Sequence, residues 1–567
     1  MNWLTLQDFL AAEWQAECDE WERIKCRRLS ELIESGVVGS GTINGTRFQS
    51  IDNLLPMRFR EDDRVHVFQS RDKDTLGQAR YAAGKTLVEA DVEEVLQQNA
   101  LFLAPLGRTC PQGDVLISPT EPLEAGYRNL QHSLEHCEAD SYLGSLLSLK
   151  EGAQEVSYLT QEELQSHLCE KVHPGQQELH IVQGPPGSGK TYLIGMMVSH
   201  WAKKGYSVLV TAFTNRAVDE MFRKAKSANT IDPPVLARIG RMRIREEFPD
   251  IISGTRITPW PGRALGTTLY QCAKAASADP IMPFDIVIID EGSQVTLPAF
   301  CAAARLAKAI VLFGDHRQLP PVLIQPISEK PDINSFQTSA FEYLIRRHKF
   351  SCVKETRRMN KPVCDFISKK YYEGKLFSHA MAAEHSWETF PDDPQWINGS
   401  NGVWHVISPD ETPPRQSSEN EARVVADLIA MLEAKRGDWL REKDNLDPVI
   451  RNGGAGSYER RYIVSCLFRE QVALVRHALE KKGIPSHLWQ IDTVERNQGQ
   501  TGSIAILCVG ATDPKQGRDP SWVLDPRRWN VALSRGRFAA FVIAKKSFSA
   551  ALRENAGDTL RTTTWDD

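Results

Sequence analysis

Three clusters along this chain have the residue types and the order needed to handle a triphosphate. The first is 184-GPPGSGKT-191, running from strand-like LHIVQ into helix-like TYLIGMMVSHWAKKG. In that setting Gly184, Gly187 and Gly189, with Pro185 and Ser188 between them, let backbone N–H groups turn inward around a phosphate at the positive end of a helix. Lys190 is suited to neutralising β/γ oxygens, and the Thr191 hydroxyl to binding Mg²⁺. The second cluster closes the apolar run 286-IVIIDEGSQVTLP-298, where Asp290 is the candidate metal holder and Glu291 the candidate base that polarises water. A hydrolase needs only that acid pair, yet Gln294 follows at once. The third cluster, 314-GDHRQLPPV-322, supplies Gln318 at the end of another apolar strand. An amide can donate to a γ-phosphate oxygen and accept from water without fixing a charge, which suits a sensor of nucleotide state. The plainer reading of either glutamine is a turn cap.

These groups must be positioned by a sheet. From about residue 179 the apolar strands LHIVQ, SVLVTAF, DIVIID and AIVLFGD alternate with helical segments, which predicts a parallel α/β sheet. Ligands meet such sheets at the C-terminal ends of the strands, where all three clusters fall. A second set, GVWHVIS, RYIVSCL, SIAILCVG and AFVIAKK, predicts a second α/β domain beginning near residue 347. Residues 222–262 read as an insertion, and 441-REKDNLDPVIRNGGAGSYER-460 as an exposed loop. Upstream, apolar residues at helical spacing from Trp3 to Leu32 predict one long amphipathic helix stopped by Gly36. Short strand-like pieces and an Asn44-Gly45 hairpin signal then predict a small barrel ending near residue 120, with a second helical stretch after it.

Composition narrows the class. A chain of 567 residues is too long for one core, so roughly three to four domains are expected. Its 11 cysteines include no C-x-x-C pair, which argues against a zinc site of ordinary spacing and fits a reducing compartment. The acidic start lacks the features of a signal peptide, and no apolar run is long enough to span a bilayer. A cytosolic or nuclear protein with no membrane partner is therefore expected. The formal charge of -5 excludes a basic coat but not a local basic groove.

The series GPPGSGKT, DEGSQ, GDHRQLPP, ETRRMNKP, TVERNQGQ and RRWNVALSRGR occurs in the order of superfamily 1 helicases. It resembles the branch typified by the RNA-surveillance helicase and its DNA-replication relatives, over about residues 159 to 545. The resemblance implies two RecA-like domains with parallel sheets, at 151–346 and 347–567, after a helical stalk and small β-barrel at 1–150. It implies ATP and Mg²⁺ in the cleft and 5′→3′ movement along single-stranded DNA or RNA. Arg358 and Arg535 match the family's γ-phosphate arginines, and a guanidinium from across a cleft stabilises charge on a transferring phosphoryl group. Thr214, Asn215, Thr267, Thr268 and Thr493 match positions that touch the strand, where hydroxyls and amides bond phosphate or sugar without reading sequence. Phe213 and Trp260 are candidate stacking aromatics, and Arg223, Lys224, Arg241, Arg243 and Arg245 candidate track residues; a solvated face is the plain alternative for the latter. An ATP-gated clamp or remodeller, and a signalling ATPase without nucleic acid, are the competing readings. No nuclease module is expected in this sequence, so any cutting would come from a partner nuclease or other complex subunit.

Three departures from the family pattern lie on the base and sugar side, where Gln161, Arg357 and Gly499 are the candidate contacts. Glu163 stands where an adenine-reading glutamine is usual, with Gln161 or Gln165 as substitutes. Arg357 replaces a base-stacking tyrosine, although its guanidinium plane can still stack, and Thr501 replaces a ribose-holding acid. Phosphate chemistry is thus kept while base discrimination is loosened. The expected kcat/KM preference for ATP over GTP is below about a hundredfold, and a larger ratio in steady-state assays would refute the reading.

Overall fold

The computed structural model describes residues 3–51, 57–59, 63–69, 73–96, 100–138, 140–152, 154–227, 236–240, 248, 251–254, 256–324, 336–384, 387–388, 390, 394, 396–397, 402–409, 417–446, 460–510, 520–554 and 560–565. The chain divides into two compact units. One comprises Asn2–Gln131 with Leu323–Gln337, and the other His132–Val322 with Thr338–Asp567.

In the first unit, six antiparallel strands close a barrel in the order Gly39–Asn44, Arg47–Ser50, Ala100–Pro105, Val88–Leu96, Arg64–Phe68, Gly113–Pro119. Asn44 pairs with Arg47 across the tight turn, where Gly45 takes a φ of 63° that a side chain would disfavour. Alternate side chains such as Phe48, Val65, Val67, Leu101 and Ile117 fill the interior. The expected single N-terminal helix is broken: Trp3–Cys26 is followed by Leu29–Glu34. Arg28 is extended there and pairs with Thr75, so sheet-like bonding interrupts a helical apolar pattern that continues through it. Trp21, Leu29, Leu32 and Leu76 join one apolar cluster. The second helical stretch is also divided, into Glu124–Glu138 and Ser141–Leu147, because the Asp140 carboxylate caps a new start.

Among its described residues the other unit holds two large parallel sheets and a two-stranded one, Glu355–Thr356 with Phe377–Ser378. The first has nine strands, ordered Ile252–Gly254, Leu236–Ile239, Ala264–Thr268, Val208–Ala212, Phe284–Ile289, Ala307–Gly314, Glu178–Gln183, Phe350–Val353, Val156–Leu159. The second has six: Trp489–Thr493, Tyr462–Cys466, Gly502–Cys508, Gly536–Ala544, Val403–Ile407, Leu560–Thr564. Both are sheets of the RecA-like kind, built on the apolar runs read from the sequence. Two segments add to the expected division. The 222–262 segment, read as an insertion in the sheet's connections, contributes strands: Leu236–Ile239 and Ile252–Gly254 extend the first sheet, and Phe222, Leu236, Phe248 and Ile251 enter its core. Strand Phe350–Val353 lies C-terminal to the division expected near residue 347, yet pairs with Glu178–Gln183 in the first sheet. The expected loop at 441–460 begins inside the helix Glu419–Leu446, and 447–459 lies outside the described residues.

His405 lies in the second sheet, fully buried, with its ring nitrogens 3.4 Å from the Ala544 carbonyl and 3.3 Å from Ser549 Oγ. Burial pulls its imidazole from an ordinary value of 6.5 down to about 4. Between those values the unfolded chain holds a proton that the folded chain does not, so stability falls as pH drops through this window. Thermal or denaturant unfolding should show a loss of about 2 kcal/mol between pH 7 and pH 5 from this group alone. His405→Asn should flatten that slope, whatever it does to stability at pH 7.

Candidate nucleotide site and strand-facing edge

Strand Glu178–Gln183 delivers the phosphate loop, and the helix Lys190–Lys203 begins at Gly189 in the left-handed conformation. At Gly184 an added Cβ would fall 2.1 Å from Lys190 Cγ, so only glycine lets the lysine fold across the loop. Lys190 Nζ donates to the Gly184 carbonyl at 2.6 Å. Ser188 Oγ and Gln161 Oε1 are buried without a hydrogen-bond partner among the described residues. A helix N-terminus, a lysine bonded to its own loop's backbone and orphaned buried polar atoms together fit a bound triphosphate.

The base side resolves one departure. Glu163 is engaged as a helix cap: its carboxylate accepts from the Thr160 N–H at 2.7 Å while Thr160 Oγ1 accepts from the Glu163 N–H at 3.1 Å. The Thr160 N–H, with Lys354 at 3.1 Å, holds that carboxyl below its ordinary range. Gln161 instead is buried against the loop, its Nε2 2.9 Å from where a Gly189 Cβ would be. Gln161, not Glu163, is therefore the side chain that lies against the phosphate loop. Across from it, Arg357 forms an ion pair with Glu162.

Asp290 ends strand Phe284–Ile289, buried, and accepts from the Glu291 N–H at 2.8 Å. Burial, then the Glu291 charge, raise its carboxyl to about 7, and Lys190 opposes them. A divalent cation would relieve that desolvation, so the donor set fits Mg²⁺. Glu291, half-buried, takes a φ of 54°, unusual without glycine. Gln498 Nε2 lies 3.4 Å from Glu291 Oε2. Gln294 sits in the single turn Gly292–Gln294, its N–H bonded to the Glu291 carbonyl at 2.8 Å. Gln318 Nε2 donates to Asp315 at 2.7 Å.

The opposite wall belongs to the second sheet's domain. Thr356 Oγ1 donates to the Pro186 carbonyl at 2.9 Å, and the Arg357 N–H to the Gly187 carbonyl at 2.8 Å. Arg358 Nη1 donates to the Ser534 carbonyl at 3.1 Å. Arg535 is buried and held by the Val531 carbonyl at 2.7 Å, Ser534 Oγ at 3.0 Å and the Gln500 carbonyl at 3.3 Å. Burial draws its guanidinium down to about 10, with Glu291 first among the anions pulling it back. Arg358 thus stands beside the phosphate loop, its Cβ 2.5 Å from where a Gly187 Cβ would be, and its guanidinium meets the residue that precedes Arg535. Gly499 is exposed with open space around it, in the loop that carries Gln498.

The positions matched to strand contacts divide. Thr268 and Thr493 are half-buried at the C-terminal ends of their strands, and Thr214 Oγ1 caps the Ala217 N–H at 3.1 Å. Thr267 is fully buried and donates to the Ile239 carbonyl at 3.3 Å, so its hydroxyl serves the fold. Asn215 Oδ1 accepts from Arg238 at 2.8 Å, and Arg238 is itself buried against Asp219 at 3.0 Å. Phe213 is 61% exposed and Trp260 43%, the latter under the Arg263 guanidinium at 4.7 Å. Arg223 and Lys224 pair with Glu220 along one helix face, while Arg241, Arg243 and Arg245 lie outside the described residues.

Two families, each described as an AAA domain, match residues 160–325 and 336–547. The mouse DNA replication ATP-dependent helicase/nuclease DNA2 is 24% identical over 413 residues, covering 65% of this chain and 35% of that protein. The Drosophila melanogaster regulator of nonsense transcripts 1 homolog is 25% identical over 418 residues, covering 65% and 33%. The chain belongs to the superfamily 1 helicases. Within them it falls in the branch that contains these two relatives, and it spans about a third of their length. The crystal structure of an arterivirus nonstructural protein 10 helicase is similar over 93% of this chain and 81% of its own, at 13% identity and a TM-score of 0.41. No helix among the described residues of this superfamily 1 member is long and apolar enough to cross a membrane.

Sequence reasoning missed Gln498, although it opens the quoted 498-QGQT. For the base side it named Gln161, with Gln165 as the alternative, and a local signal sets Glu163 apart from both: Thr160-x-x-Glu163 is a capping box, which commits Glu163 to the helix end. Gln161→Ala should therefore raise KM for ATP by about tenfold with kcat nearly held, while Glu163→Ala leaves KM within about twofold. Equal effects of the two substitutions would reverse the assignment.

Proposed function

We propose that this chain is an ATP-dependent motor on single-stranded nucleic acid, a helicase or translocase moving 5′→3′. One observation carries the reading: the loop that bears Arg358 is hydrogen-bonded to the phosphate loop, through Thr356 Oγ1 to the Pro186 carbonyl at 2.9 Å and the Arg357 N–H to the Gly187 carbonyl at 2.8 Å. A site assembled from two domains opens and closes with them, which links chemistry to motion.

Position and residue chemistry support a role for each group. Gly184, Gly187, Gly189 and Lys190 cradle the phosphates, and Gln161 meets the base edge. Thr191 and Asp290 would hold Mg²⁺, which neutralises charge on the β/γ oxygens when bound with ATP. Glu291 orients and deprotonates the attacking water. Arg358 and Arg535 stabilise charge on the transferring phosphoryl group, and Gln294 and Gln318 report its presence. The half-buried Thr268 and Thr493, with exposed Phe213, supply polymer contacts that bond backbone or stack without reading sequence.

The test is ATP turnover without polymer, with single-stranded DNA and with single-stranded RNA. Stimulation by one polymer names the substrate, and directional unwinding then tests polarity. Glu291→Gln should lower turnover by at least about a hundredfold under every condition. Glu291-dependent turnover unaffected by either polymer would refute the motor.

A further inference from the structure

Asp315 ends strand Ala307–Gly314, buried, and four donors converge on its carboxylate. Gln183, at the end of the phosphate-loop strand, donates to Oδ1 at 3.0 Å, and the Arg317 N–H to the same oxygen at 3.2 Å. Gln318 and the Tyr372 hydroxyl both donate to Oδ2 at 2.7 Å. Tyr372 follows the helix Lys361–Tyr371. Its hydroxyl oxygen in turn accepts from Asn530 Nδ2 at 2.8 Å, and the same amide reaches the Arg317 carbonyl at 2.8 Å. Asn530 lies on the short helix Pro526–Leu533, which runs directly into Ser534 and Arg535. All five side chains are buried. Burial, reinforced by Asp315, pushes the Tyr372 phenol well above its ordinary value, so the hydroxyl stays a donor.

We infer that Tyr372 is a positioning residue: by bridging Asp315 to Asn530 it sets the placement of Arg535 relative to the phosphate loop. The bridge joins the first sheet's phosphate-loop and sensor strands to the helix that carries the second domain's arginine. A buried carboxylate that loses one donor must recover it elsewhere, so the arrangement tolerates few alternatives. Nucleotide binding relies on the loop of the first sheet, whereas phosphoryl transfer also needs Arg535. Loss of the bridge therefore acts on turnover and spares binding.

This inference rests on the ATP-hydrolysing reading but not on any polymer, so basal turnover tests it. Tyr372→Phe keeps the ring and removes only the hydroxyl. Its basal kcat should fall about ten- to a hundredfold, with KM for ATP within about threefold of the unsubstituted chain. Asn530→Ala should reduce kcat in the same way, and the double variant should be no worse than the poorer single one. Should Tyr372→Phe fail to fold, Asn530→Ala alone reads the link through the same split of kcat from KM. A kcat within twofold of the unsubstituted chain would overturn the inference, as would losses that multiply, or a KM that rises in step with the fall in kcat. Absence of Glu291-dependent turnover in the unsubstituted chain would overturn both this and the hydrolase reading. Failure of polymer stimulation alone would refute the motor and leave the bridge standing.

Discussion

A missing Cβ decides whether the two walls of the nucleotide site can meet. At Gly187 a methyl group would lie 2.5 Å from both Thr356 Oγ1 and Arg358 Cβ, and the residue's φ of 73° is itself unfavourable for a side chain. Bare backbone at that point allows the Arg357 N–H to reach the Gly187 carbonyl and Thr356 Oγ1 the Pro186 carbonyl. These bonds set the second domain's arginine-bearing loop on the turn that would hold the phosphates. The glycines of this loop thus do two jobs. Gly184 makes room for Lys190 within the loop, and Gly187 makes room for the other domain.

The charges at the site are held in a state that ligand would relieve. Lys190 bonds a backbone carbonyl of its own loop, and Asp290 is buried beside a second carboxylate. Arg535 is buried yet bonded by three neutral oxygens, with no carboxylate in hydrogen-bond contact among the described residues. Each charge is satisfied well enough to fold and poorly enough to prefer a phosphate or a divalent cation. Relieving desolvation on both walls at once favours the arrangement in which both touch the same ligand.

How much of this was legible depended on how thoroughly a segment is buried. Strands such as Phe284–Ile289 and Tyr462–Cys466 lie in the sheet interior and read as continuous apolar runs. Val156–Leu159 and Ile252–Gly254 are edge strands, short and partly exposed, and nothing in VSYL or ISG separates them from loop. Ala264–Thr268 is fully interior, but ALGTT lacks bulk because Gly266 faces Phe222 and Val218, where a Cβ would come within 2.8 Å of both. The break near Arg28 was hidden for the opposite reason: Leu29 and Leu32 keep the helical apolar spacing on both sides of it. At the site, residues defined by local pattern were readable, and Tyr372 and Asn530 were not. Their roles come from meeting a carboxylate far away in sequence, which no spacing records.

The strand-facing edge and the nucleotide edge are neighbours in one hydrogen-bonded ladder. The Asp290 N–H donates to the Thr211 carbonyl at 3.0 Å, and Ile289 is paired in register with Thr211. Thr211 is in register with Thr267, and Ala212 with Thr268. One strand, Val208–Ala212, therefore separates the acid pair from the threonines matched to polymer contacts, a distance of about 10 Å at ordinary strand spacing. Thr267 is then more useful buried than exposed. Its hydroxyl ties the ladder to the Ile239 carbonyl, which Arg238 also engages together with Asn215 and Asp219. The buried Arg238 guanidinium thus ties the helix Asn215–Ser227 to two strands, Leu236–Ile239 and Ala264–Thr268. Close-packed interiors shift as units and do not deform smoothly, so this corner of the sheet is held together as one body.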